Sequence, residues 1–92
     1  MEPRLSLKWS RRALADLARI AEYIARDKPG AANDMVKLIR AKAENLRVMP
    51  QVGRVAYPGT FELVIHRSYL LTYRIKPGRV EILQVWHTAQ LR

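Results

Sequence analysis

The sequence of 92 residues contains no cysteine. That excludes disulfide frameworks, thiolate metal sites and thiol nucleophiles. Histidine is almost as scarce: His66 and His87 are the only two. They match no metal-ligand spacing, so no metal and no cofactor is expected. Neither a P-loop nor a GxGxxG stretch occurs, and Ser68 has no triad context. No apolar run approaches the roughly 18 residues of a membrane span. The opening MEPRLSLKWSRR lacks the apolar core of a signal peptide. The expectation is one soluble, cytoplasmic domain over residues 1–92, with no membrane partner.

Acidic residues are also few. Eight Asp and Glu face 17 Lys and Arg, for a net charge of +9. Twelve of the 17 are arginine, whose planar fork matches phosphate and carboxylate geometry. Such a surplus points to a polyanion or an acidic protein as partner. Residues 50–92 contain only Glu62 and Glu81 as carboxylates. Arg54, Arg67, Arg74 and Arg79 are therefore expected to be available to an outside partner.

Residues 4–9, RLSLKW, alternate apolar and polar, the period of a half-buried strand. Ser10 stands where a helix N-cap belongs. From Arg11 to Arg26 the spacing becomes helical, with Leu14, Leu17, Ala21 and Ile24 as the apolar stripe and Ala13 and Ile20 widening it. Asp16 is spaced to form surface pairs with Arg12 and Arg19. Pro29 ends that helix and can open a second. Ala32, Met35, Val36, Ile39, Ala43 and Leu46 give the second helix its stripe, and the short link makes an antiparallel hairpin.

Residues 50–60, PQVGRVAYPGT, read as an irregular loop. Gly53 offers backbone freedom to aim Arg54, with Tyr57 nearby. Three strands follow: Phe61–His66, Tyr69–Lys76 and Val80–His87. Lys76-Pro77-Gly78-Arg79 is a turn signature that needs positive φ at the glycine. The last strand is apolar on both faces, as central strands are. The predicted fold is α+β in the order β-α-α-β-β-β, with the N-terminal strand joining a mainly antiparallel four-stranded sheet and the helical hairpin packed on one face. The opposite face is expected to gather Glu62, Thr72 and Arg74.

One chemistry suits so few acid–base groups. Attack of an RNA 2′-OH on its own phosphate needs a base, an acid and cations, and no metal. Histidine can serve as base or acid, and arginine can hold the charged phosphate. His87 is the candidate base or acid; Arg54, Arg67 and Arg74 are candidate clamps; Tyr57 or Trp86 could stack a base. The alternative for His87 is a strand-end residue that closes the core. His66 reads as an exposed turn residue.

The chain resembles the RelE/ParE superfamily of toxins from bacterial type II toxin–antitoxin systems. The resemblance rests on WSRRALADLARIAEYIARDKPGAA, MPQVGR, TFELVIHRSYLLTYRI and VEILQVWHTAQ, in that order. It implies a small basic protein that stops growth when free. Its implied partner is a cognate antitoxin, which contacts operator DNA for the complex. Members of the superfamily either cleave mRNA in the ribosome or inhibit DNA gyrase without nuclease activity. His87 matches the catalytic histidine of several mRNA-cleaving members. Leu70, in SYLLTYR, stands where those members usually have an arginine. The resemblance therefore favours gyrase inhibition over ribosome-dependent mRNA cleavage. A non-toxic nucleic-acid-binding domain is the third alternative.

Overall fold

The structure is a computed structural model and describes residues 4–88. Strand β1 (Ser6–Trp9) leads into helices α1 (Arg11–Ala25) and α2 (Pro29–Asn45). Four strands follow: β2 (Arg54–Tyr57), β3 (Thr60–His66), β4 (Tyr69–Lys76) and β5 (Arg79–His87). The sheet has the order β1-β5-β4-β3-β2. It is mainly antiparallel as expected, with one correction and one refinement. It has five strands, and it is mixed, because β1 runs parallel to β5 while every other pair is antiparallel.

The extra strand comes from the segment expected to be irregular. Tyr57-Pro58-Gly59-Thr60 carries the same turn chemistry as Lys76-Pro77-Gly78-Arg79. Gly59 and Gly78 are the two positive-φ glycines, at 79° and 75°. In each hairpin the residues flanking Pro-Gly pair directly, Tyr57 with Thr60 and Lys76 with Arg79. Both turns fit type II, where only glycine adopts the third position without strain.

Helix α1 starts where expected. Ser10 Oγ accepts from the Ala13 N–H at 3.0 Å, and its hydroxyl donates to the Leu83 carbonyl at 2.8 Å. The cap therefore ties the helix start to β5. Pro29 opens α2 after Lys28. The buried side of α1 runs through Ala13 and Leu17, with Ile20 and Ile24 packed beside them. Leu14, expected in that stripe, is 46% exposed; the helix is rotated toward Ala13. Ile39 and Ala43 of α2 and Leu46 at its C-cap join Ile65, Leu71, Tyr73, Val80, Ile82 and Val85 of the sheet in one core cluster. Helix α1 lies against β5 and α2 against β3.

Strand β5 is an inner strand as expected, between β1 and β4, while β4 is the middle one of the five. Tyr69 to Tyr73 are all buried, since β3 and β5 flank β4 along its length. Strand β5 has β1 as its outer neighbour only as far as Ile82. Beyond it, α1 takes over the edge.

Candidate functional site

The outer edge of β5 from Leu83 onward needs hydrogen-bond partners, because β1 has ended. Asp16 supplies one. It is 4% exposed, and its Oδ2 accepts the Val85 N–H at 3.0 Å. Its Oδ1 accepts from Arg12 Nε at 2.9 Å and from Arg19 Nη2. The two expected pairs form, but around a buried carboxylate rather than on a surface. Periodicity could show the spacing of Arg12, Asp16 and Arg19. It could not show the strand edge that the carboxylate meets.

This arrangement builds a groove of about 500 Å³ between α1 and the paired ends of β4 and β5. Arg12, Arg19 and Arg26 line it from one side of α1, with Tyr23 beside them. Their seven-residue spacing keeps them on one helical face. Trp86 and His87 line it from β5 and Tyr69 from β4. The Arg12 guanidinium carbon lies 5.9 Å from the Trp86 ring centre, within cation–π reach. His87 pairs with Tyr69 across the strands, and their rings meet edge to face at 5.1 Å. Burial pushes the Tyr69 phenol above its usual range, and the neighbouring Tyr23 adds to the rise. Trp86 Nε1 is buried with no hydrogen-bond partner among the described residues. The groove thus combines cations, flat rings and an imidazole. Its three helical arginines were not singled out as site residues from the sequence; their i,i+7 spacing is shared by any solvated helix face.

The sequence-predicted site residues fall into separate places. Trp86 and His87 lie in the groove. Arg67 sits in the adjoining β3–β4 turn, where its carbonyl accepts from Thr88 Oγ1 at 3.2 Å. Arg54 and Tyr57 lie on β2, with β3 and β4 between them and β5. Arg74 is on the open face of the sheet. His66 is exposed as expected but is the last residue of β3, paired with Tyr69, rather than part of the turn; its Nδ1 accepts from the Ser68 N–H.

The expectation that the later arginines lack carboxylate partners does not hold. Arg54 Nε binds Glu62 Oε1 at 2.8 Å. Arg74 and Arg79 both bind Glu81, at 2.6 and 2.8 Å. Arg67 alone of the four makes no ion pair among the described residues. These are surface pairs, worth at most about 1 kcal/mol to folding where exposed. They remain exchangeable with a partner. Thr72, expected on an open polar face, is buried.

Gly53 also acts differently from expectation. Its φ is not positive, and its role is to leave space. A Cβ there would stand 2.5 Å from Tyr73 Oη and 2.7 Å from the Glu62 carbonyl. Tyr73 Oη donates to the Pro50 carbonyl at 2.7 Å and accepts from the Gly53 N–H at 3.0 Å. The ring stacks on Phe61 at 5.4 Å. A buried phenol thereby pins the loop that delivers Arg54.

Comparison with known proteins decides the family. Residues 7–92 match the family described as "ParE toxin of type II toxin-antitoxin system, parDE". The chain belongs to this family. It is a toxin of a type II toxin–antitoxin system. Toxin RelE2 of Caulobacter vibrioides is 37% identical over 83 residues, covering 90% of this chain and 94% of the relative. Among solved structures, the chromosomal ParDE system from P. aeruginosa superposes with a TM-score of 0.82 at 27% identity, covering 94% of this toxin and 98% of that chain. The RelBE2 toxin–antitoxin complex from Mycobacterium tuberculosis superposes at 0.67 and 24% identity, covering 91% and 98%. That second likeness shows the fold alone. ParE and RelE names both occur among these relatives. No helix of the described residues is long and apolar enough to cross a membrane.

Proposed function

We propose that this toxin arrests growth by binding DNA gyrase, without cutting RNA, and that a cognate antitoxin with an acidic segment neutralises it. The observation that carries the non-nucleolytic reading is the environment of Leu70. It is 3% exposed and pairs with Val64 on β3 and Trp86 on β5. The mRNA-cleaving members usually have an arginine at this position. Here it is an apolar residue packed between neighbours. Of the other candidate clamps, Arg67 lies in the β3–β4 turn beside the groove, and the other two lie farther off. Arg74 pairs with Glu81, which faces it on β5 well before the His87 end, and Arg54 lies on β2, with two strands between it and the strand of His87. His87 itself meets the Tyr69 ring edge to face at the end of β5, a contact that suits a strand-end packing role. The match to the ParE toxin family supports gyrase as the target, and the net charge of +9 suits an acidic antitoxin segment. The ParDE and RelBE2 relatives come from toxin–antitoxin systems. The decisive measurement is a supercoiling assay with purified gyrase. Supercoiling should fall as toxin is added; normal supercoiling at toxin excess would overturn the reading.

A second reading keeps one specific observation in its favour. His87 shares the α1 groove with Arg12, Arg19 and Arg26, so an imidazole and three guanidiniums face one space. In that reading the arginines hold an RNA phosphate and His87 moves the proton. Primer extension on mRNA in a translating extract should then reveal cuts that vanish with His87→Ala. Intact mRNA beside arrested growth excludes it.

A further inference from the structure

Away from the groove, four cations surround one carboxylate on the sheet face opposite the helices. Lys8, Glu81 and Arg74 stand directly across from one another on β1, β5 and β4. Glu81 accepts from Arg74 Nε through one oxygen and from Arg79 Nε through the other. Lys8, Arg11, Arg74 and Glu81 line a hollow of about 390 Å³, which Trp9, Ser10 and Leu83 complete. A guanidinium has five N–H donors in a fixed fork, and each of these contacts engages Glu81 through Nε. Arg74 and Arg79 remain 46% and 44% exposed, so donors on both are open to a second acceptor.

The hollow also runs against local helix preference. Arg11 and Arg12 occupy the first turn of α1, which holds no acidic residue. Cations there oppose the helix dipole. Departures of this kind from local preference are expected at functional sites.

We propose that this cluster is a contact site for the phosphodiester backbone of a nucleic acid. Its two apolar lining residues, Trp9 and Leu83, are only part-exposed, Trp9 being packed against the core, and none of the exposed large apolar side chains reaches the hollow. Protein partners anchor on such side chains, whereas nucleic-acid interfaces are polar and strongly positive. An acidic peptide would only exchange one carboxylate for Glu81. A phosphodiester chain brings successive charges to Lys8, Arg11, Arg74 and Arg79, and gains from the counterions it releases. Glu81 keeps Arg74 and Arg79 in place while the site is empty. Its retained negative charge keeps the contact weak until other parts of a complex add to it. The toxin would then touch nucleic acid directly, and not only through an antitoxin.

The test uses the full chain and a short fluorescent DNA duplex, titrated by anisotropy across a salt series. It contains no gyrase, ribosome or antitoxin, so its outcome is separable from that of the target reading. Affinity should fall with salt. The double variant Lys8→Ala/Arg79→Ala should reduce the magnitude of the log–log slope by about 1.8, near 0.9 for each lost phosphate contact. The double variant Lys37→Ala/Lys42→Ala removes the same charge from exposed positions of α2, and should leave the slope unchanged. Equal losses in both would mean diffuse net charge and overturn the proposal. Single-stranded RNA of the same length identifies the strand type; cluster-dependent binding of either nucleic acid supports the site. Inorganic phosphate or polyglutamate binding through Lys8 and Arg79, with no such dependence for either nucleic acid, would overturn it. Unchanged circular dichroism and thermal unfolding confirm that the variants fold.

Discussion

Asp16 and Glu81 each hold two arginines, in opposite surroundings. Asp16 is buried and also accepts a strand-edge N–H from Val85. Glu81 lies on the face of the sheet away from the core, where its partners are the half-exposed side chains of Arg74 and Arg79. The same ion-pair pattern therefore does two jobs. Where the carboxylate also bonds backbone, the pair belongs to the fold and fixes the groove wall. Where it bonds only exposed side chains, it keeps cations ready for exchange with a partner.

The sharpest way to break this comparison is to remove each carboxylate. Asp16→Ala leaves the Val85 N–H unpaired in a buried place and frees α1 from β5. A loss on the order of 3 kcal/mol is expected in urea unfolding, from a charge-assisted bond plus an unsatisfied donor. Asp16→Asn, which keeps an acceptor oxygen, should lose less. An Asp16→Ala variant as stable as the parent would end the claim that this residue belongs to the fold.

The Tyr73 anchor tests another buried polar link. Tyr73→Phe removes the donor to Pro50 and the acceptor for Gly53, for an expected cost of about 2 kcal/mol. For a domain of this size that is a fall in Tm of roughly 8–16 °C. Gly53→Ala should cost a similar amount, since overpacking of a close contact costs about 1–3 kcal/mol. Burial raises the Tyr73 phenol above its ordinary value of 10.0, against a smaller lowering by the Gly53 N–H. The neutral form is therefore favoured in the folded state. That contribution is complete below pH 10 and is lost as pH rises through the raised value. The alkaline limb of the stability profile should flatten in Tyr73→Phe.

The smallest effect belongs to Glu81. Hydrogen bonds from Arg79 and then Arg74 lower its carboxyl from 4.5 to about 2. Its contribution is present above pH 4.5 and is lost as pH falls toward 2. Glu81→Gln should remove that part of the acid limb and barely move stability at neutral pH. A neutral-pH loss equal to that of Asp16→Ala would erase the distinction between the two carboxylates.

The sequence alone determined much of this protein. Helical periodicity, the Ser10 cap, Pro29 at the start of α2 and the Pro77-Gly78 turn are local properties of the chain. The identical Pro58-Gly59 signal was legible too, but two prolines and two glycines in residues 50–60 masked the short β2 beside it. Of the site, the residue types were visible: an arginine-rich composition, a strand-end histidine and a surplus of positive charge. Their grouping was not. Only the tertiary structure decided that β1 stops at Trp9 and leaves the edge of β5 to Asp16. It likewise paired Glu62 and Glu81 with arginines from other strands, and set Leu70 between Val64 and Trp86. The physical reason is that periodicity reports which face of an element is apolar, whereas strand order and register decide which distant residues share that face.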